Sequence, residues 1–147
     1  MLVVGGGQDD RGLDEADPPM GNGRSISVLA AREGAAVAVT DLVLARAADT
    51  VAMIEPAVDR PAIAIEADAS DEAAMTAAFA RARDELDGLD ALVVNVGIGG
   101  PAWLTGTSVA QWDRTFAVNV RSHFLACKLA MEALDDDGSI VLIASVA

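Results

Sequence analysis

Two glycine clusters, held apart by a polar stretch, are the first residues of this chain whose spacing could do chemistry. Leu2-Val3-Val4 runs into Gly5-Gly6-Gly7-Gln8, and Gly21-Asn22-Gly23 follows after twelve intervening residues, at the head of an amphipathic segment. Without residues 9–20 the pattern is Gly-x-x-x-Gly-x-Gly between an apolar strand and a helix. Glycine belongs in such a turn because a Cβ would block the approach of backbone N–H groups to the oxygens of a pyrophosphate. The helix N-terminus adds partial positive charge. Eighteen residues past Gly23, at the end of a second apolar run, stands Asp41, where a dinucleotide fold places a carboxylate for ribose hydroxyls. The same carboxylate could merely cap the helix after it. Gly5, Gly7, Gly21, Asn22, Gly23 and Asp41 are therefore candidate cofactor contacts.

The elements that must hold these residues are visible as an alternation. Strands are expected at 2–4, 35–40, 62–66, 91–95 and 139–144, as nearly continuous apolar runs of the kind buried on both sheet faces. Helices are expected between them. The segment 22–33 carries Ile26, Leu29 and Ala30 as its core stripe and stops at Gly34. The segment 42–55 ends before Pro56, and 71–86 starts from Ser70 as N-cap, with Ala74, Met75, Ala78, Phe79 and Ala82 facing the core. A long helix covers 109–134, capped by Ser108. Parallel neighbours need right-handed crossovers, so the pattern predicts an α/β, Rossmann-type doubly wound parallel sheet of strand order 3-2-1-4-5. Ligands of such sheets bind beyond the carboxyl ends of the strands, which here carry Gly5, Asp41, Asp68, Asn95-Val-Gly97 and Ser145.

Composition narrows the function classes. The 147 residues read as one domain, 52% apolar, with no uninterrupted apolar run near the ~20 residues that span a bilayer. The net charge of −13 argues against sequence-independent binding of nucleic acid. No basic, apolar leader precedes the first strand, and the single cysteine, Cys127, forms no internal disulfide; a cytoplasmic protein is expected. No His, Cys or carboxylate cluster has metal-ligand spacing. The last apolar run, 138–145, ends two residues before the end of the chain, and we read this as truncation within a domain whose later strands are missing.

The ordered motifs resemble those of the short-chain dehydrogenase/reductase family over essentially the whole chain. They are the split glycine turn, Asp41, Asp68-Ala69-Ser70, Val94-Asn95-Val96-Gly97, Asn119 in Phe-Ala-Val-Asn-Val, and Ser145 after Ile-Val-Leu-Ile-Ala. The resemblance implies hydride transfer between NAD(P) and an alcohol or ketone by an Asn, a Ser, a Tyr and a Lys. Asn119 and Ser145 match the first two. It places Asp68 and Ala69 beside the adenine, and Asn95 and Gly97 in the Asn-Asn-Ala-Gly motif, from which Val94 and Val96 depart. It gives Asn119 a helix irregularity whose carbonyl holds a relay water, and Ser145 a hydrogen bond to the substrate oxygen. In the family the Tyr and Lys follow the Ser, beyond Ala147, and this sequence holds no tyrosine. The 147-residue chain alone is thus expected to be inactive, since the phenol is the general acid–base.

NAD is expected over NADP, because Asp41 repels a 2′-phosphate and Leu42 offers that phosphate no charge; Arg24 in the turn softens the preference. The insert 9–20 holds five acids and one arginine and is expected to bulge out over the rim, as a lid or a decoration. His123 is read as a surface or interface residue, Cys127 as a small buried hydrophobe, and Trp103 and Trp112 as packing residues. The resemblance implies a homo-oligomer for an intact parent, formed through the long helix; its partner helix falls in the segment that carries the tyrosine, which leaves assembly of this chain open. Loss of the later strands would leave the fifth as an exposed apolar edge. Two other readings compete: a noncatalytic dinucleotide-binding or interaction module, and a methyltransferase, which gives no reason for Asn119 and Ser145.

Overall fold

The computed structural model describes residues 1–9, 19–54, 59–100 and 103–145. Most of the insert and the expected helix stop at Pro56 lie outside the described residues. Five strands, β1 (Leu2–Val4), β2 (Val37–Asp41), β3 (Ala62–Glu66), β4 (Ala91–Val94) and β5 (Ser139–Leu142), form one parallel sheet of order β3-β2-β1-β4-β5. The predicted order and parallel direction hold.

The apolar runs serve two cores because successive side chains leave opposite faces. Leu2 and Val4 of β1 pack with Met75, Phe79, Ala82, Ala126 and Ala130 on one face. Val3 packs with Val28, Ala31, Ala47, Val51 and Ile54 on the other. Helices α1 (Asn22–Arg32) and α2 (Leu44–Ile54) cover the Val3 face; α3 (Glu72–Glu85) and α5 (Ser122–Ala133) cover the other. Each Val or Leu removed from water in this way contributes about 1.5–3 kcal/mol of transfer free energy.

Several local expectations shift. β2 begins at Val37 and continues through Asp41, which pairs with Glu66. In α1 the buried positions are Gly23, Ser27, Val28 and Ala31, while Leu29 is 57% exposed. Ile26 and Ala30 of the predicted stripe are partly buried and pack against the Val3-side core. Leu29 alone turns outward, because the helix is rotated so that Gly23 meets the glycine turn. Asp71, rather than Ser70, caps α3: its Oδ1 accepts from the Ala74 N–H at 2.7 Å. Ser70 instead donates its hydroxyl to Asp68 Oδ1 at 2.7 Å. Gly34 ends α1 as predicted, with a left-handed φ of 95°.

The long helix is three pieces in line. After a capping box between Ser108 and Gln111, α4 (Val109–Phe116) passes into a π turn, Ala117–Arg121, and then α5. The irregularity implied for Asn119 is this π turn, closed by the Ser122 N–H donating to the Ala117 carbonyl. Trp112 and Phe116 stack on the outer side with ring centroids 4.5 Å apart, and Trp103 is 78% exposed, so neither tryptophan packs in the core. Cys127 is half-buried rather than buried. β5 is the edge of the sheet, with Val141 and Leu142 exposed as anticipated.

Candidate functional site

The strand order reverses between β1 and β4, and the chain's small and polar residues converge above that point. Gly5 leaves β1 with a φ of 78°. Asn95 leaves β4, donates its N–H to the Val4 carbonyl at 2.8 Å and its side-chain amide to the Gly5 carbonyl at 3.2 Å. On the far side of the insert, Gly23 closes on the same spot. A Cβ on Gly23 would overlap the Gly5 carbonyl oxygen and come within 2.8 Å of Asn95 Nδ2. The separated glycine clusters therefore meet as one turn.

Gln8, which sequence reasoning passed over, is the clasp: its Oε1 accepts from the Gly21 N–H at 2.8 Å, across the insert. Thr50 is a second unforeseen support. Fully buried on α2, it donates its hydroxyl to the Gly6 carbonyl at 2.9 Å and accepts from Arg24 Nε at 3.1 Å. No apolar period or motif marks either residue; Gln8 follows the first glycine cluster directly, whereas Thr50 sits within α2 and carries no local signal.

The turn's amides are used differently from the expectation. The N–H groups of Gly5 and Gly6 both donate to the Thr40 carbonyl, at 3.0 and 2.9 Å. They lock the turn to β2 rather than face an anion. The groups left for a phosphate are the first-turn amides of α1, Asn22 to Arg24, which have no intrahelical acceptor.

Asp41 reaches the rim of the turn. Its Oδ1 accepts from the Val43 N–H at 3.0 Å, and its Oδ2 lies against Gly7, 2.5 Å from where a Cβ would stand. It thus orders the chain into α2 and also faces the crevice. That crevice, of about 280 Å³, is lined by Gly5, Gly7, Asp41, Asp68, Ala69, Asn95 and Gly97, among others. Asp68 lines it while its Oδ1 accepts from the Ser70 N–H and hydroxyl, so the cofactor and helix-start readings coexist. Arg46, which the sequence reading missed, lines the same crevice, with its guanidinium 4.0 Å from Asp41 and 2.9 Å from Asp9. Arg24, the cation expected there, is instead bonded to Thr50.

A wider adjoining cavity of about 760 Å³ holds the other half of the constellation: Asn22, Asn95, Gly97, Asn119, His123 and Ser145. Asn119 bonds both ways to one peptide unit, accepting from the Ile98 N–H at 2.8 Å and donating to the Ile98 carbonyl at 2.9 Å. It ties the π turn to the segment after β4. His123 is not a free surface residue: it lines this cavity, and its Nδ1 lies 3.1 Å from Ser122 Oγ. The Ser122 hydroxyl donates to the Val118 carbonyl, so the histidine contact requires Nδ1–H to be the donor. Among the described residues no cluster could hold a metal ion, and no helix is long and apolar enough to cross a membrane.

Comparison with known proteins agrees with this fold. The family model described as enoyl-(acyl carrier protein) reductase matches residues 19–147. The chain is 41% identical over 113 residues to the short-chain dehydrogenase/reductase eriH of Hericium erinaceus, covering 75% of this chain and 45% of that protein. It is 38% identical over 129 residues to 2-(S)-hydroxypropyl-CoM dehydrogenase 3 of Xanthobacter autotrophicus, covering 86% of this chain and 50% of the relative. The solved short-chain dehydrogenase/reductase of Serratia marcescens superposes with a TM-score of 0.84 at 33% identity, covering 98% of this chain and 54% of that one. The chain belongs to the short-chain dehydrogenase/reductase family. It spans about half the length of the relatives it matches.

Proposed function

We propose that these residues form the cofactor-binding part of an NAD-linked oxidoreductase that moves a hydride between a nicotinamide cofactor and a small alcohol or ketone. The observation that carries this reading is the contact of Gly23 with Gly5 across the insert, with Asp41 lying over Gly7. A Cβ at Gly23 would part β1 from α1 and one at Gly7 would displace Asp41. The glycines thus keep the turn closed and the carboxylate at a crevice of about 280 Å³, and the residues fit the group. When bound, the nicotinamide supplies or receives the hydride. The first turn of α1 would hold the pyrophosphate, Asp41 would accept from the adenosine ribose, and Asp68 and Ala69 would border the adenine. Ser145 would donate to the substrate oxygen in the wider cavity, and Asn119 would hold the wall through Ile98.

The preference for NAD over NADP rests on Asp41, whose carboxylate rewards ribose hydroxyls and repels a 2′-phosphate. Because the sequence contains no tyrosine, these residues supply no phenol to move the proton that accompanies hydride transfer. We therefore expect the 147-residue chain to bind NADH without turning it over against ketones.

The lack of tyrosine also favours a second reading, a noncatalytic dinucleotide-binding module. The gene decides between them: a Tyr-x-x-x-Lys encoded after Ala147 supports the enzyme, and its absence supports the module. The cofactor reading itself is tested by titrating the chain with NADH in a thermal-shift assay. A saturable rise in Tm supports it; no rise at millimolar NADH would falsify it.

A further inference from the structure

Beside Asp41 the crevice contains a charge arrangement that comes from the insert rather than from the glycine turn. Asp9, the first residue of the insert, places Oδ1 2.9 Å from Arg46 Nη2, a charge-assisted hydrogen bond. Arg46 stands in the first turn of α2, and its Nη1 is 4.0 Å from Asp41 Oδ1. All three side chains line the 280 Å³ crevice. Their exposures are 42% for Asp9, 22% for Arg46 and 14% for Asp41, so the charges are partly shielded from water and interact appreciably.

Arg46 alone would be a receptor for phosphate, because its guanidinium fork matches two phosphate oxygens. Paired with Asp9 it is not. A ribose bearing two hydroxyls can donate to Asp41 and leave the Asp9–Arg46 pair closed. A 2′-phosphate that reaches Arg46 must break that pair, and then meets the Asp9 and Asp41 carboxylates beside it, in a crevice that Asp68 and Arg114 also line. We propose that Asp9 is a specificity-determining residue for the nucleotide: by occupying Arg46 it keeps the crevice from accepting a 2′-phosphate, and it shares with Asp41 the selection of NAD. This rests on the dinucleotide reading of the same crevice.

Neutralising Asp9 releases Arg46 toward the crevice, so selectivity shifts toward the phosphorylated nucleotide only while Arg46 is present. Neutralising Arg46 in the same chain removes that shift.

The test is calorimetric titration of the chain with NADH and NADPH, and with AMP and adenosine 2′,5′-bisphosphate as probes of the adenosine end alone. Asp9→Asn is expected to move the NADPH-to-NADH affinity ratio at least about tenfold toward NADPH, as one charge-assisted hydrogen bond from the freed Arg46 to the 2′-phosphate implies. The bisphosphate-to-AMP ratio should move in parallel. Asp9→Glu should keep the wild-type ratio, and Asp9→Asn with Arg46→Gln should return close to it. Circular dichroism establishes that each variant is folded. An unchanged ratio in folded Asp9→Asn, with NADH still bound, overturns the role of Asp9 and leaves the dinucleotide reading standing. A shift that survives loss of Arg46 also overturns the proposal. Failure of the wild-type chain to bind any of the four probes overturns both.

Discussion

The α-carbon of Gly23 rests against the carbonyl oxygen of Gly5, although the acidic insert separates them along the chain. That contact joins β1 to the start of α1 and leaves no room for a side chain. Its neighbours explain why it is held: Asn95 donates to the Gly5 carbonyl from the β4 side, and Gln8 accepts from Gly21 at the root of the insert.

Gly23→Ala is expected to abolish measurable NADH binding. The new Cβ meets backbone at Gly5, which cannot yield as a flexible side chain would, so the strand and helix must separate. Overpacking of this kind costs about 1–3 kcal/mol of stability. Thermal denaturation and NADH titration of the same sample measure both effects.

Gly7→Ala tests the ribose end separately. Its Cβ would lie 2.5 Å from Asp41 Oδ2 and 2.7 Å from Arg46 Cβ, so the carboxylate must move from its place over the turn. NADH affinity is expected to fall about tenfold, comparable to losing one charge-assisted hydrogen bond. Asp41→Asn should give a loss of similar size by calorimetry; retained affinity in both would remove Asp41 from the site.

Asn119→Ala removes both bonds to the Ile98 peptide. The site is partly open to water, so the expected cost is about 1–2 kcal/mol. For a chain of this size that lowers Tm by about 2–8 °C. Hydrogen exchange should rise at Ile98 before it rises in β4.

Asp71→Ala tests fold without touching the crevice. Loss of the α3 cap should cost about 1 kcal/mol and leave NADH affinity as it was. A change in affinity without a change in Tm would contradict the capping role.

The strand order, the two-faced burial of β1 and the convergence of Gly5, Asp41, Asn95 and Ser145 on one edge were legible because each depends on short-range pattern. Apolar runs of strand length identify the sheet, and the residue after each run identifies its rim. What escaped depends on how elements rotate against each other. Leu29 matches a helical apolar stripe, yet close packing of Gly23 turns α1 so that Ser27 and Val28 face inward. Ser70 and Asp71 are both good caps, and their order was decided by the Asp68 turn, which engages Ser70 first. Arg46 lies on the next helix from the turn, and its place beside Asp9 follows from where the insert leaves the rim. No local signal in the sequence carries that information.

The most direct measurement of the central claim is a paired NADH titration of the wild-type chain and Gly23→Ala, each shown to be folded by circular dichroism. Saturable binding by the wild type and its loss in the folded variant are predicted. Equal affinity in the two, or no binding by the wild type, would contradict the claim that the two glycine clusters close into one nucleotide-holding turn.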